Sequence, residues 1–151
     1  MTQTDREADS NGKNTKKGDG DMFLKNPKAK RMAGNVLLLL FSLVAIFHVF
    51  VLIGLVPLDM VWGGRIQKQE ELYWFEFISL ALNFLFIYVV LARQEYIKTP
   101  IAPGILRMTL WVMVLLFSLN TIGNLNALNR METLIFTPIT FLIAILCLAL
   151  A

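Results

Sequence analysis

Four stretches of the chain run almost unbroken through apolar residues, at about 33–56, 73–92, 104–125 and 131–150, each bounded by a short polar segment. Each approaches or exceeds the ~20 residues an α-helix needs to cross ~30 Å of hydrocarbon. Nothing alternates with period two, and open sheet edges have no place in lipid, so strands are excluded. The pattern predicts an all-α membrane protein, with four transmembrane helices in an antiparallel bundle over residues 32–151 and a disordered tail over 1–31. The first apolar run reads as a retained span rather than a cleaved signal. It is about 24 residues long, follows a mostly polar 31-residue segment and has no small-x-small site before Pro57.

The connections are short. TPIAPG, 99–104, supplies two prolines and a glycine ahead of the third span, a favourable helix start. NRME, 129–132, places Asn129 at an N-cap with Glu132 three residues on, a variant of the capping box. Spans three and four are therefore expected to form a tight hairpin. Tyr73, Trp74, Tyr96 and Trp111 lie near span ends, as aromatic belts do.

Period within the fourth span adds a packing face. Thr133, Thr137, Thr140, Ala144 and Cys147 recur at steps of four and three, which puts the small residues on one stripe. Small residues let helices approach closely where lipid offers no hydrophobic driving force. The alternative is a threonine-lined path. Pro138 interrupts this helix, and threonine hydroxyls are candidates to satisfy the carbonyls it frees.

Composition sharpens the membrane reading. Hydrophobic residues make up 56% of the 151 and mean hydropathy is +0.61, above the roughly 45–50% apolar usage of soluble proteins. Residues 1–31 hold 8 of the 14 Lys and Arg and 5 of the 11 acids, leaving 12 charges for the other 120 residues. Lys25, Lys28, Lys30 and Arg31 flank the first span and are expected to lie on anionic lipid, at roughly 1 kcal/mol per basic residue. With Arg93, Lys98 and Arg107 in the second loop, against Arg65, Lys68 and Arg130 in the first and third, the count is seven to three. Both termini are then cytoplasmic, and VWGGR, 61–65, faces outward.

The polar residues inside the spans collect at that outer side. Glu76, Ser79 and Asn83 share one face of the second span, and Asn120 and Asn124 are four apart in the third. By the helical rise His48 lies ~12 Å below the outer end, Glu76 ~5 Å and Asn120 ~8 Å, with Glu132 opening the fourth span on the same side. Intramembrane ionisable groups usually face the bundle and find partners. His48, Arg65, Glu76, Asn120, Asn124 and Glu132 form either a structural polar cluster or a site for a ligand, an ion or a proton. In the loop, Gly63 and Gly64 permit a tight turn, with Trp62 as an interfacial anchor and backbone N–H groups beside Arg65 as a candidate anion site.

Cys147 and His48 are the sole residues of their types, which excludes an intramolecular disulfide, a CxxC pair and a two-histidine metal site within one chain. No Ser-His-Asp or metal-ligand spacing is visible, so no catalytic residue, metal or cofactor is expected.

The stretch HVFVLIGLVPLDMVWGGR, with ELYWFE after it and NTIGN later, resembles a family of small four-span bacterial membrane proteins of uncharacterised function. The matching residues are His48, Gly54, Pro57, Val61 to Arg65, Glu76 and Asn120 to Asn124. The resemblance implies the bacterial inner membrane and no chemistry. Small multidrug transporters also have four spans and an essential membrane Glu, but in their first span, where this chain has none.

The leading expectation is a non-enzymatic membrane protein, either a partner subunit or a binder of a small polar or lipid ligand at the outward polar layer. The alternative is a small oligomeric proton-coupled transporter using Glu76 and His48, and third comes a membrane enzyme. Expected partners are the bilayer, anionic lipid at the N-terminal flank, and a homo-oligomer or larger membrane complex, with no nucleic acid.

Overall fold

A computed structural model describes residues 26–66 and 68–151, apart from the Asp59 side chain. Among these residues there is no strand, and four helices carry the fold: α1 (Pro27–Leu52), α2 (Gln69–Arg93), α3 (Pro103–Leu125) and α4 (Arg130–Leu150). Their most apolar windows have mean hydropathies of 2.6, 2.1, 1.8 and 2.5. At 1.5 Å per residue each is ~31 Å or longer, enough to cross a membrane. The chain divides into Met1–Met32 and Ala33–Ala151, and the packing below is that of the second unit.

Local chemistry sets the ends. α1 begins earlier than its apolar run, with Pro27 in the first turn and Asn26 Oδ1 accepting from Lys28 N–H at 3.0 Å. Residues 27–31, expected in the tail, are thus helical, and the rest of the expected disordered segment, 1–25, lies outside the described residues. α1 also stops at Leu52 rather than 56. Leu55 N–H reaches Phe50 C=O (2.9 Å) and Gly54 N–H reaches Val51 C=O (3.0 Å), a Schellman ending with Gly54 at φ 77°. α2 starts at Gln69 with Glu70 and Glu71 in its first turn, where the helix dipole favours acids. It ends in the same motif, with Glu95 in the left-handed position at φ 59°. Pro103 opens α3, and Asn129 Oδ1 caps α4 by accepting from Met131 N–H at 2.9 Å.

The helices bury one stripe each and leave the rest to lipid. Leu39, Phe77, Leu115 and Phe141 are exposed, as are Tyr73, Trp74 and Trp111. The stripes meet in a core whose centre is three rings: Phe41 of α1, Phe86 of α2 and Phe117 of α3, with centroids 5.6–5.8 Å apart. Tilted and edge-on ring pairs at this spacing contribute about 0.5–1.5 kcal/mol each beyond their burial.

α3 and α4 form the most extensive contact in the bundle, the expected hairpin. The small-residue stripe lies inside: Thr140, Ala144 and Cys147 are buried, while Leu142 faces out. Thr133 Oγ1 donates to the Asn124 carbonyl at 2.9 Å, and Thr121 Oγ1 and Thr140 Oγ1 lie 3.0 Å apart. The stripe is thus a packing seam with hydroxyls serving as interhelical links. α4 runs unbroken through Pro138, and the Thr140 hydroxyl sits on the Phe136 carbonyl at 2.8 Å. The Thr137 hydroxyl is buried without a partner.

The α1–α2 and α3–α4 connections share one end of the bundle. There, Val61 is buried against Val51 and Leu72, a second small apolar cluster that pins the 53–68 connection down onto the helices. At the other end Tyr96 Oη donates to Asn35 Oδ1 at 2.7 Å, and Tyr88 Oη and Thr99 Oγ1 lie 2.7 Å apart.

Candidate functional site

The VWGGR segment makes an unusual turn at the loop end. Trp62, Gly63 and Gly64 occupy the left-handed region in succession, with φ of 57°, 71° and 69°. Glycine accepts this freely, but a residue with a Cβ does so at roughly 1–2 kcal/mol. Two buried carboxylates hold the turn. The indole Nε1–H of Trp62 donates to Glu76 Oε1 at 2.8 Å, and the N–H of Gly63 donates to both oxygens of Glu132 at 2.9 Å. Gly63 C=O in turn accepts from Leu128 N–H at 3.2 Å, so the turn is tied to the α3–α4 hairpin from both sides of one residue.

Glu76 is 1% exposed and Glu132 6%. A carboxylate is carried below the surface at tolerable cost when charge-assisted hydrogen bonds replace its water. For Glu76 these come from Trp62 and from His48, whose Nδ1 lies 2.6 Å from Oε2. At that separation one proton bridges the pair, whichever atom it is bonded to. The Trp62 ring also stacks against Phe75, centroids 5.0 Å apart.

Beneath the turn lies a cavity of about 320 Å³, bounded by all four helices and the loop. That is within the range of small-ligand sites. Its floor includes Phe86 and Phe117, two of the three core rings. Its walls carry His48, Arg65, Glu76, Asn120, Asn124 and Glu132, all six of the polar residues singled out from the sequence. Of the ionisable groups at this end, His48 is the one that partners Glu76. Arg65 does not pair with Glu76 but donates from its guanidinium to the Asn126 carbonyl at 3.2 Å. The Arg65 guanidinium is exposed and stays hydrated at little cost, while the Trp62 indole N–H supplies the second contact to Glu76. Nor is the loop backbone free for an anion. Gly63 N–H is held by Glu132, Gly64 N–H by the Val61 carbonyl and Arg65 N–H by the Trp62 carbonyl.

Two further residues belong to the wall. Thr140, expected in the seam, also faces the cavity and receives Asn124 Nδ2–H at 3.3 Å. Asn83 lines the cavity, is 4% exposed, and its Oδ1 has no hydrogen-bond partner. Its place on the Glu76–Ser79–Asn83 face is visible in the spacing, but the open acceptor is not. Among the described residues, no group of three His, Cys, Asp or Glu side chains is arranged to hold a metal ion.

No family model, no curated protein and no solved structure matches this chain.

Proposed function

We propose that this integral membrane protein binds a small polar or lipid ligand, without catalysis, in the cavity bordered by the four helices and the VWGGR turn. The observation that carries this reading is a cavity of about 320 Å³ whose wall gathers His48, Arg65, Glu76, Asn120, Asn124 and Glu132 from four helices and a loop. On the basic-residue count the cavity opens outward and both termini are cytoplasmic. The likeness of the VWGGR stretch to small bacterial four-span proteins supports the inner membrane. The ligand is either taken up by this chain alone or presented to a partner subunit.

A second reading is favoured by the 2.6 Å contact of His48 with Glu76. A proton shared between two groups in a membrane bundle is the element a small proton-coupled transporter would use, working as an oligomer.

Reaction of introduced cysteines tests the cavity. In intact cells, Asn83→Cys is expected to react with a charged, membrane-impermeant thiol reagent, while Leu142→Cys on the lipid face is not. An unreactive Asn83→Cys in a folded protein would mean that the layer is packed shut, and the binding reading would fall.

A further inference from the structure

We infer that the ligand of this cavity is an acyl-chain lipid of the loop-side leaflet, taken in sideways between α2 and α3, an inference that rests on the binding reading above. The wall changes character with depth. His48, Asn120, Asn124 and Glu132 lie within five residues of the loop-side ends of α1, α3 and α4. Val44, Leu116, Phe117, Ile139 and Ile143 lie eight residues or more from those ends, ~12 Å or deeper. Thr140 is the polar exception at that depth on these helices, and its hydroxyl is on the Phe136 carbonyl at 2.8 Å. On α2 the lining order is Glu76, Ser79, Leu82, Asn83 and Phe86, polar to apolar with Asn83 interposed. A lipid in the same leaflet has this order too, with its head group at the interface and its chains toward the midplane.

The cavity also opens toward hydrocarbon. Of the helix residues that line it, the exposed ones are Leu82, Leu116, Asn120 and Gly123, all on α2 and α3, while those on α1 and α4 are buried or half-buried. Leu82 lies 13 residues along α2 and Leu116 nine residues below the end of α3, ~20 Å and ~14 Å, depths at which a spanning bundle meets lipid rather than water. Asn120 stands at this opening with no hydrogen-bond partner among the described residues. A bare amide toward hydrocarbon is costly, and the phosphate or ester oxygens of a lipid accept its N–H groups. A small polar ligand would use the polar layer alone and leave the apolar depth and the side opening without a role. A helix of a second copy, about 10–12 Å across with its side chains, does not enter a space of about 320 Å³. One acyl chain with part of a head group does, the rest of the lipid staying in the bilayer through the opening.

The test is photolabelling of the full chain in vesicles. The bilayer is dioleoyl phosphatidylcholine, doped in turn with choline, ethanolamine and glycerol phospholipids that carry a diazirine in the acyl chain, and labelled residues are mapped by mass spectrometry. Lipid around the bundle reaches exposed positions such as Phe141 and Leu142. A chain inside the cavity is needed to reach Phe86, Phe117 and Ile143, which line it and are buried. Labelling of these buried residues is expected with at least one of the doped lipids. Gly123→Phe and Leu116→Trp, at the opening, should each reduce it about tenfold or more and leave Phe141 and Leu142 labelled as before. Both variants should fold, since a Cβ on Gly123 meets nothing within 4 Å and Leu116 is exposed. Should one fail to fold, the other and the unsubstituted chain still decide. Label confined to exposed positions, with Asn83→Cys reactive toward the aqueous thiol reagent, would overturn the lipid assignment and leave the cavity reading standing. The same confinement with Asn83→Cys unreactive would end both. Buried label that both variants leave unchanged would overturn entry between α2 and α3.

Discussion

The backbone N–H of Gly63 donates to both carboxylate oxygens of Glu132, 2.9 Å from each, across 69 residues of sequence. This contact fixes the turn over the cavity, and its cost of removal separates into two parts. Gly63→Ala should destabilise by ~1–2 kcal/mol through backbone strain alone, because an added Cβ would meet only the Arg65 side chain at an ordinary 3.6 Å. Glu132→Ala should cost about 1–3 kcal/mol by leaving the Gly63 N–H without its acceptor. The double variant should cost less than the sum, since both changes act on one contact. Denaturant titration in detergent measures all three. Strict additivity would show that the turn is held by something else.

Glu76 carries two donors, and its variants should part accordingly. Glu76→Gln retains an acceptor for the Trp62 indole and should keep most of the stability. Glu76→Leu strands both Trp62 Nε1–H and His48 Nδ1 and should cost on the order of 2–4 kcal/mol, one to two unsatisfied groups. Equal melting temperatures for the two variants would show that the hydrogen bonds contribute nothing measurable.

The α3–α4 seam gives a packing test. Ala144 is buried in the core that the four helices share, so Ala144→Leu should overpack it and cost ~1–3 kcal/mol. Leu142→Ile, on the exposed face, should stay within ~0.5 kcal/mol. A similar response at both sites in a melting assay would place the seam elsewhere.

Span number, the hairpin and the seam were legible because each is a local property, namely an apolar run, a short connection or a step of three and four. The convergence of His48, Glu76, Asn120, Asn124 and Glu132 at one end followed from counting helical rise. The turn itself was not legible. Nothing in VWGGR announces that Trp62 leaves the right-handed region, and nothing near Gly63 announces an acceptor 69 residues away. Glu76 meets His48 and the Trp62 indole, and the indole was the partner the sequence did not announce, because Trp62 reads there as an interfacial anchor. The two early and late ends of α1 were missed for a simpler reason: caps, rather than hydropathy, terminate helices.

Glu95 offers a stabilising change. It closes α2 at φ 59°, a position that favours glycine, so Glu95→Gly should remove strain of ~1–2 kcal/mol and give back part of it as unfolded-chain entropy. A net gain of up to about 1 kcal/mol is expected, visible as a higher melting temperature. A lower one would mean that the Glu95 side chain contributes more than its backbone costs.

Orientation is checked independently of stability. Lys68→Cys, at the start of α2, should react with an impermeant thiol reagent added to intact cells, and a reporter fused at Ala151 should behave as cytoplasmic. Reaction of Lys68→Cys only after permeabilisation would invert the assignment.

The rings of Phe86 and Phe117 line the cavity, and Phe41 packs on both, so carbon from three separate helices lies on that side of it. Water and ions in the cavity meet aromatic carbon on that side. Passage to the far side would require three rings to part together, at the loss of roughly 0.5–1.5 kcal/mol for each pair and of the burial beneath them. The ring layer sets aromatic carbon between Glu76 and Glu132 at the loop end and the far end of the bundle.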